Sequence, residues 1–265
     1  MTAQRLGRLI ADGDVDGVRA AVTASPGLLG RTVERAGQGG WTPLHLAVAE
    51  CQGDLVGLLV EAGADLGART EQHWTPLHVA LQFCPTVVPL LVRLGAALDA
   101  PSAAFLDDVD ELTRHLDDGV ALTDPLSGLD LLSWAALGGA PSTARLLLQR
   151  GADADGGALH AAASEGRLEL VLLLLEAGAD VDRRDPHTGR TPLHAAVAAG
   201  SAGQAPAVVR RLLSDGADVD ATTADGASAL DISRVAAARH RRADDGQATA
   251  HDALAELLVA NGATG

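Results

Sequence analysis

The chain contains no lysine and no tyrosine, and its 265 residues include only two phenylalanines and three tryptophans. A thick globular core usually draws much of its buried area from aromatic rings, each of which covers roughly 150–250 Å². The apolar 47% of this sequence consists almost entirely of alanine, leucine and valine. Because small aliphatic side chains suit closely packed helices, the composition favours thin helical layers. The all-arginine, alanine-rich usage is also typical of a GC-rich bacterial genome.

Positive charge and long apolar runs are both scarce. The sequence has 35 acidic residues against 20 arginines, a formal net charge of −15, and an acidic surface repels nucleic-acid phosphates. The most apolar stretch, 168–177, contains two glutamates and is far shorter than the roughly 20 residues of a membrane span. The first residues lack an apolar segment of signal-peptide length. We therefore expect a cytoplasmic protein that binds neither nucleic acid nor membrane.

The two cysteines hold equivalent places in the sequence. Cys51 and Cys84 each lie seven residues after the leucine of a Leu-His pair, since 51 − 44 and 84 − 77 are both 7. Stacked helices sit roughly 8–10 Å apart, whereas a disulfide tolerates a Cα separation of about 7 Å. This comparison predicts two free thiols.

A repeated motif organises the chain. Thr-Pro-Leu-His occurs at 42–45, 75–78 and 191–194, and Ala-Leu-His occurs at 158–160. The leucines at 44 and 77 are 33 residues apart, and those at 159 and 193 are 34 apart. A glycine followed by a short extended stretch closes each repeat, as in Gly-Ala-Asp at 63–65, 178–180 and 216–218. Such a fixed period predicts stacked supersecondary repeats.

Each repeat is predicted to be a pair of short helices. In the repeat that begins near Gly40, Thr42 can cap a helix and Pro43 suits the first helical position. A second helix over about 54–62 should end at Gly63 with a positive φ. Isolated helices of this length are marginal in water, so each pair must stack on its neighbours.

The Thr-Pro-Leu-His opening, the Gly-Ala-Asp close and the 33-residue step together resemble the ankyrin repeat over nearly the whole chain. The resemblance implies an all-α fold, an ankyrin-repeat solenoid of stacked helix-turn-helix repeats with short hairpin-like fingers. It implies one domain over residues 1–265 with eight repeats. Their predicted limits are about 3–38, 39–71, 72–99, 100–127, 128–155, 156–186, 187–223 and 224–265.

Four histidines, His45, His78, His160 and His194, occupy the same place in separate repeats. They form a ladder and do not converge on one point, so a metal or acid–base site is disfavoured. The resemblance implies that each bridges the backbone of adjacent loops. We expect no metal and no cofactor.

The aromatic residues are the candidate contacts for a partner. Trp41 and Trp74 precede the repeated motif and either pack against the neighbouring loop or anchor a partner. Trp134 and Phe83 are expected on one groove-facing surface, flanked by Gln82, Glu50 and Glu165. On this reading Trp134→Ala should weaken binding and leave thermal unfolding nearly unchanged. The fourth and fifth repeats have lost most of the extended turn that forms a finger, and packing of Trp134 over these shortened fingers is the alternative.

Two charged runs have simpler explanations. The acidic run 107–118 is expected to be a solvated helix face, with a docking patch for a basic partner as the alternative. The basic run 239–242 is expected to lie in a loop whose charge Asp244 and Asp245 neutralise.

These features together predict a non-catalytic, monomeric scaffold that binds another protein through its concave face and finger tips, because nucleotide-binding, zinc-protease and serine-hydrolase motifs are missing from the sequence. The alternative is a small-molecule-binding or enzymatic protein that uses the groove near Phe83 and Trp134. A closed pocket of roughly 300–1,000 Å³ lined by Trp134 would favour that alternative. A purely structural spacer, the third possibility, predicts no apolar patch on the concave face.

Overall fold

The computed structural model describes residues 2–35, 37–123, 129–200, 204–243 and 248–264. Within these residues the helices follow one another in pairs, and their contacts group them into two compact blocks, residues 2–102 and 103–264. The N-terminal block contains α1 (Ala3–Ala11), α2 (Val15–Ala24), α3 (Pro43–Ala49), α4 (Gly53–Glu61), α5 (Pro76–Phe83) and α6 (Val88–Arg93). Short 3₁₀ helices cover Pro26–Gly30 and Pro85–Val87.

The boundary between the blocks falls within α7 (Ala100–Phe105). The helices that follow in the C-terminal block are α8 (Val109–Asp117), α9 (Leu131–Gly138), α10 (Pro141–Gln149), α11 (Ala158–Ser164), α12 (Leu168–Glu176), α13 (Pro192–Ala199), α14 (Ala205–Ser214), α15 (Ala229–Ala243) and α16 (Ala248–Ala260).

The repeated motif starts helices as the sequence predicts. Thr42 precedes α3, and its side-chain oxygen accepts a hydrogen bond from the backbone N–H of His45. Pro43 occupies the first helical position, where a missing N–H costs nothing. Gly63 follows α4 with a φ of 96°, a conformation that glycine adopts without a side-chain clash.

Stacking of neighbouring pairs buries the apolar faces. In the N-terminal block α3 packs on α1 and α5, and in the C-terminal block α11 packs on α9 and α13. Leu44, Ala47 and Val48 on α3 are fully buried, as are Leu55 and Leu59 on α4 to within 1%. Each buried leucine contributes roughly 1.5–3 kcal/mol. The predicted architecture of stacked helix pairs is confirmed.

A short hairpin interrupts the helices in the N-terminal block. Strand β1 (Val33–Arg35) pairs antiparallel with β2 (Gln38–Trp41), with Val33 opposite Trp41 and an irregularity between Val33 and Arg35. Strand β2 ends just before α3, so the hairpin determines the positions of Arg35 and Trp41 relative to the helices.

The prediction of two free thiols is wrong. Cys51 and Cys84 form a disulfide, and their Cα atoms are 5.5 Å apart. The spacing of roughly 8–10 Å applies to helix axes, whereas Cα atoms lie about 2.3 Å from the axis. Facing Cα atoms on neighbouring helices can therefore approach to about 3–5 Å. Cys84 directly follows Phe83, the last residue of α5, and Cys51 lies two residues after Ala49, the last residue of α3, so both stand just beyond the ends of neighbouring helices.

The acidic run is partly structural. The Asp107 carboxylate accepts hydrogen bonds from the backbone N–H groups of Ser142 (2.9 Å) and Thr143 (2.8 Å) and so caps α10 from a distant part of the chain. The residue before α10, Ala140, has no side chain that could do this. Asp108 caps α8 by accepting from the N–H of Glu111.

The basic run 239–242 is helical, which corrects the predicted loop. These residues form the last turn of α15, since the preceding alanines continue the helix without a break. Arg241 forms an ion pair with Asp252 on α16 at 2.7 Å. Asp244 and Asp245, the predicted neutralising partners, lie outside the described residues.

Candidate functional site

Two histidines of the ladder, His45 and His160, bridge adjacent loops, whereas Nε2 of His78 lies 3.2 Å from the Asp99 carboxylate. Nδ1 of His45 accepts a hydrogen bond from the backbone N–H of Thr42, so Nε2 carries the proton and donates to the carbonyl of Trp74 at 3.1 Å in the next loop. Nε2 of His160 lies in the same way 2.9 Å from the Arg190 carbonyl. Burial outweighs these hydrogen bonds and lowers the pKa of His45 to about 4, so the imidazole is neutral at physiological pH.

Trp134 does not face a groove, which corrects the sequence-based placement. It is 2% exposed and packs edge-on against Phe105, with 6.5 Å between the ring centroids. Phe105 ends α7, a helix that does not open on the Thr-Pro-Leu-His motif. Its ring fills the space next to α9 and makes Trp134 a core residue of the C-terminal block. The burial of Trp134 therefore gives no support to an enzyme that uses this ring at the groove.

Phe83 is the exposed ring of the N-terminal block. Its side chain is 47% exposed although it ends a helix and has aromatic rings on two sides. The ring centroid lies 6.2 Å from that of Trp41 and 6.3 Å from that of Trp74. Trp41 is 2% exposed and Trp74 is half-buried. Tilted aromatic pairs at these distances are attractive, so the two tryptophans hold Phe83 in place.

Arg35 completes the cluster, and sequence reasoning did not identify it. The guanidinium carbon lies 5.1 Å from the Trp41 ring centroid and 5.7 Å from that of Phe83, within cation–π range. The same guanidinium pairs with Glu50 at 2.8 Å. Arg35 lies on β1, and nothing in the local sequence indicates that the hairpin brings it to the aromatic rings. We call Arg35, Glu50, Trp74 and Phe83 the Phe83 surface.

A cavity of about 490 Å³ adjoins the Phe83 surface and shares Arg35 and Glu50 with it. The cavity also contacts Gln4 and Arg8 on α1 and Leu46 on α3. The arrangement therefore presents an exposed ring, a paired arginine and glutamate, and an adjacent recess. It can bury an apolar side chain and form directed hydrogen bonds with a partner.

The remaining predicted site residues are not part of this cluster. Gln82 is exposed next to Phe83 in the chain. Glu165 is half-buried at the C-terminal end of α11, in the other block. The structure thus brings together Glu50, Trp41, Trp74 and Phe83 and leaves Trp134 and Glu165 apart from them.

Among the described residues, no three His, Cys, Asp or Glu side chains are grouped so that they could hold a metal ion. Within the same residues, no helix combines the length and apolarity needed to cross a membrane.

Comparison with known proteins gives related sequences over most of the chain. A model of ankyrin repeats matches residues 10–102, 103–185 and 132–223. Protein phosphatase 1 regulatory subunit 27 of Homo sapiens is 49% identical over 69 residues, which are 26% of this chain and 42% of that protein. B-cell lymphoma 3 protein homolog of Mus musculus is 34% identical over 189 residues, 71% of this chain and 31% of that protein. Protein PhlB of Serratia liquefaciens is 45% identical over 76 residues, 26% of this chain and 34% of that protein.

The chain spans less than half the length of each of these relatives. The family match is much broader, and it coincides with the helix pairs that open on the capped Thr-Pro-Leu-His motif. This chain therefore belongs to the ankyrin repeat family.

Proposed function

We propose that this protein is a non-catalytic scaffold that binds another protein through the Phe83 surface. The observation that carries the proposal is the 47% exposure of Phe83 in a cluster that otherwise holds its rings rigidly. Phe83 is one of only two phenylalanines in the chain, and the other, Phe105, packs against Trp134. A large ring left half in water is costly unless something covers it.

The cluster has the composition of an interface hot spot. Aromatic residues and arginine contribute most of the binding energy in protein interfaces, above all where neighbouring residues exclude water. Trp41, Trp74 and Arg35 already restrict Phe83, so binding costs little additional side-chain entropy. Glu50 and Arg35 present both signs of charge at the rim, which favours specificity over raw affinity.

The related proteins support a binding role. Protein phosphatase 1 regulatory subunit 27 is by name a regulatory subunit, and such a protein acts by binding another protein. We extend only this general role to the present chain; the identity of its partner is not part of the proposal.

The proposal is tested by affinity capture from the native host with quantitative mass spectrometry, using the immobilised full chain and three variants. Phe83→Ala and Arg35→Ala should reduce capture of the partner at least ten-fold, since each removes a central contact. Val259→Ala is the matched control, because Val259 is 51% exposed but lies in the other block. Circular dichroism verifies that every variant unfolds at nearly the wild-type temperature.

Capture that is equal for wild type and Phe83→Ala would contradict the proposal, as would a wild-type chain that retains no protein above the control. Loss of capture with Val259→Ala alone would place the interface elsewhere.

Several further features belong to the same proposal. We infer a monomer that binds neither nucleic acid nor membrane, of bacterial type, built as one ankyrin-repeat domain with the eight repeats given above. A cytoplasmic location is also proposed, and cell fractionation tests it. The Cys51–Cys84 disulfide makes this test necessary, because disulfides persist mainly in oxidising compartments and the cytoplasm is a reducing one.

A further inference from the structure

A second cavity, of about 450 Å³, lies in the C-terminal block among α13, α15 and α16. This volume is within the range of small-molecule sites. Part of its wall is apolar, with Ile232 and Val235 on α15, and Val235 is 50% exposed. The residues that line this cavity are not part of the Phe83 surface, so its role is independent of the proposed function.

Two stacked histidines form another part of the wall. The rings of His240 on α15 and His251 on α16 are nearly parallel, with 5.3 Å between their centroids. His251 is 3% exposed, and its Nδ1 has no hydrogen-bond partner among the described residues. Burial, followed by the nearby charge of His240, lowers the pKa of His251. A buried polar atom without a partner calls for an explanation, and a bound ligand or water is the usual one.

The position of His251 depends on Gly200. A Cβ atom at residue 200 would lie 2.5 Å from Nε2 of His251, closer than real contacts allow. Glycine at this position therefore lets the imidazole approach the end of α13 and stand beside the cavity.

The carboxylates around the cavity are already engaged. Asp231 accepts hydrogen bonds from the backbone N–H of Ser228 at 3.0 Å and from its hydroxyl at 2.7 Å. The hydroxyl of Thr223 donates to Asp225. The hydrogen bonds of both carboxylates therefore stabilise the turn and the start of α15.

The arginines around the cavity form no close ion pair, although the hydroxyl of Thr223 and, less strongly, the charge of Arg190 lower the pKa of Asp225 in the same wall. Within the residues that the structure describes, no carboxylate lies within 4.0 Å of the Arg190 or the Arg239 guanidinium. Two guanidinium groups, Arg190 near Asp225 and Arg239 without an ion pair among the described residues, thus border a recess in a chain whose net charge is −15. Guanidinium groups match carboxylates in shape and charge.

We propose that this cavity binds a small organic carboxylate with a short branched apolar arm. The carboxylate lies on Arg190, Arg239 and the histidine pair, and the arm contacts Ile232 and Val235. The apolar wall distinguishes this ligand class from a bare inorganic anion, which would leave Val235 exposed.

The first test titrates the full chain with 4-methylpentanoate and follows the imidazole signals of His240 and His251 by NMR. A ligand of this size should bind with a dissociation constant of about 1 mM or below. Its uncharged amide, 4-methylpentanamide, is the matched control and should cause no comparable shift. Inorganic phosphate, offered in a third titration, should bind at least ten-fold more weakly. Absence of a shift with the carboxylate, or equal binding of the amide or of phosphate, would overturn the proposal.

The second test uses variants of the full chain. Arg239→Gln should weaken 4-methylpentanoate at least ten-fold, because it removes one charged donor. Arg210→Gln is the control, since Arg210 is exposed on α14 in the same block but does not line the cavity. Val235→Asp changes an exposed side chain and should abolish binding by repulsion. Unchanged binding in both Arg239→Gln and Val235→Asp, with normal thermal unfolding, would exclude this site.

Discussion

Removal of the Cys51–Cys84 disulfide should destabilise the N-terminal block strongly. The bond joins residues 33 positions apart in sequence, so it closes a loop of about that length in the unfolded chain. With the chain-entropy relation, such a loop corresponds to about 4 kcal/mol of stability at 25 °C. The double variant Cys51→Ala/Cys84→Ala should therefore lose about 3–4 kcal/mol relative to the oxidised wild type.

The bond also lies at the Phe83 surface, so its loss should be visible locally. Cys51 follows Glu50 and Cys84 follows Phe83, which makes the disulfide a direct link between two residues of that surface. Without it, the helix ends that carry Glu50 and Phe83 are joined only by packing. The fluorescence of Trp41 and Trp74, whose rings contact Phe83, should change on reduction.

The assay is urea unfolding followed by tryptophan fluorescence, with and without a dithiol reductant. For a urea dependence near 3 kcal/mol per molar, the midpoint should fall by roughly 1 M in the double variant or in reduced wild type. The reductant should have no further effect on the double variant, which serves as the control. Mass spectrometry after alkylation should detect no modified cysteine before reduction and two afterwards.

Two outcomes would refute this reasoning. Alkylation of both cysteines in the unreduced, folded protein would mean that the bond is not formed. A double variant whose free energy of unfolding lies within about 1 kcal/mol of that of the oxidised wild type would mean that the disulfide does not lower the entropy of the unfolded chain as the relation requires.

Three other perturbations test the packing described above. Trp134→Ala should cost about 3–5 kcal/mol in urea unfolding, since the ring is 2% exposed against Phe105; a loss below 1 kcal/mol would remove it from the core. His45 has a pKa of about 4 in the folded chain and 6.5 in the unfolded chain, so between these pH values the unfolded state binds one more proton. Neutral His45 therefore contributes roughly 3 kcal/mol to the free energy of unfolding above pH 6.5, and this contribution is lost as the pH falls towards 4. The free energy of unfolding should fall less between pH 7 and pH 5 in His45→Asn than in wild type. Equal falls would contradict the lowered pKa of His45. Asp107→Ala should cost about 1–2 kcal/mol in thermal or urea unfolding because α10 loses its cap, whereas Asp110→Ala, an exposed neighbour, should change little; equal effects would argue against the cap.

The helix pairs were predictable because their signals act within one or two turns of chain. Thr42 caps a backbone N–H three residues later, Pro43 tolerates the first helical position, and Gly63 allows the positive φ that ends the pair. The apolar spacing of Leu44, Ala47 and Val48 likewise identifies a buried face without knowledge of what covers it. The structural role of His45 followed from the resemblance to the ankyrin repeat, and the hydrogen bond to Trp74 agrees with it.

The errors arose where the neighbour across the interface decides the outcome. The position of Trp134 within its repeat predicted exposure, but Phe105 from a divergent helix covers the ring. The cysteines were judged from the spacing of helix axes, although facing Cα atoms lie closer than the axes do. The run 239–242 was assigned to a loop because it is polar, yet α15 continues through it and places Arg239 beside a cavity.

The sequence alone determined the helix pairs, their caps, the ladder of histidines and the membership of a repeat family, because each depends on residues close together in the chain or on a fixed period. Only the tertiary structure decided that Arg35 reaches the rings of Trp41 and Phe83, and that two arginines and two histidines border one recess. The physical reason is that these contacts join side chains from different loops and helices, whose distance is set by the packing of whole elements and leaves no mark on the local pattern.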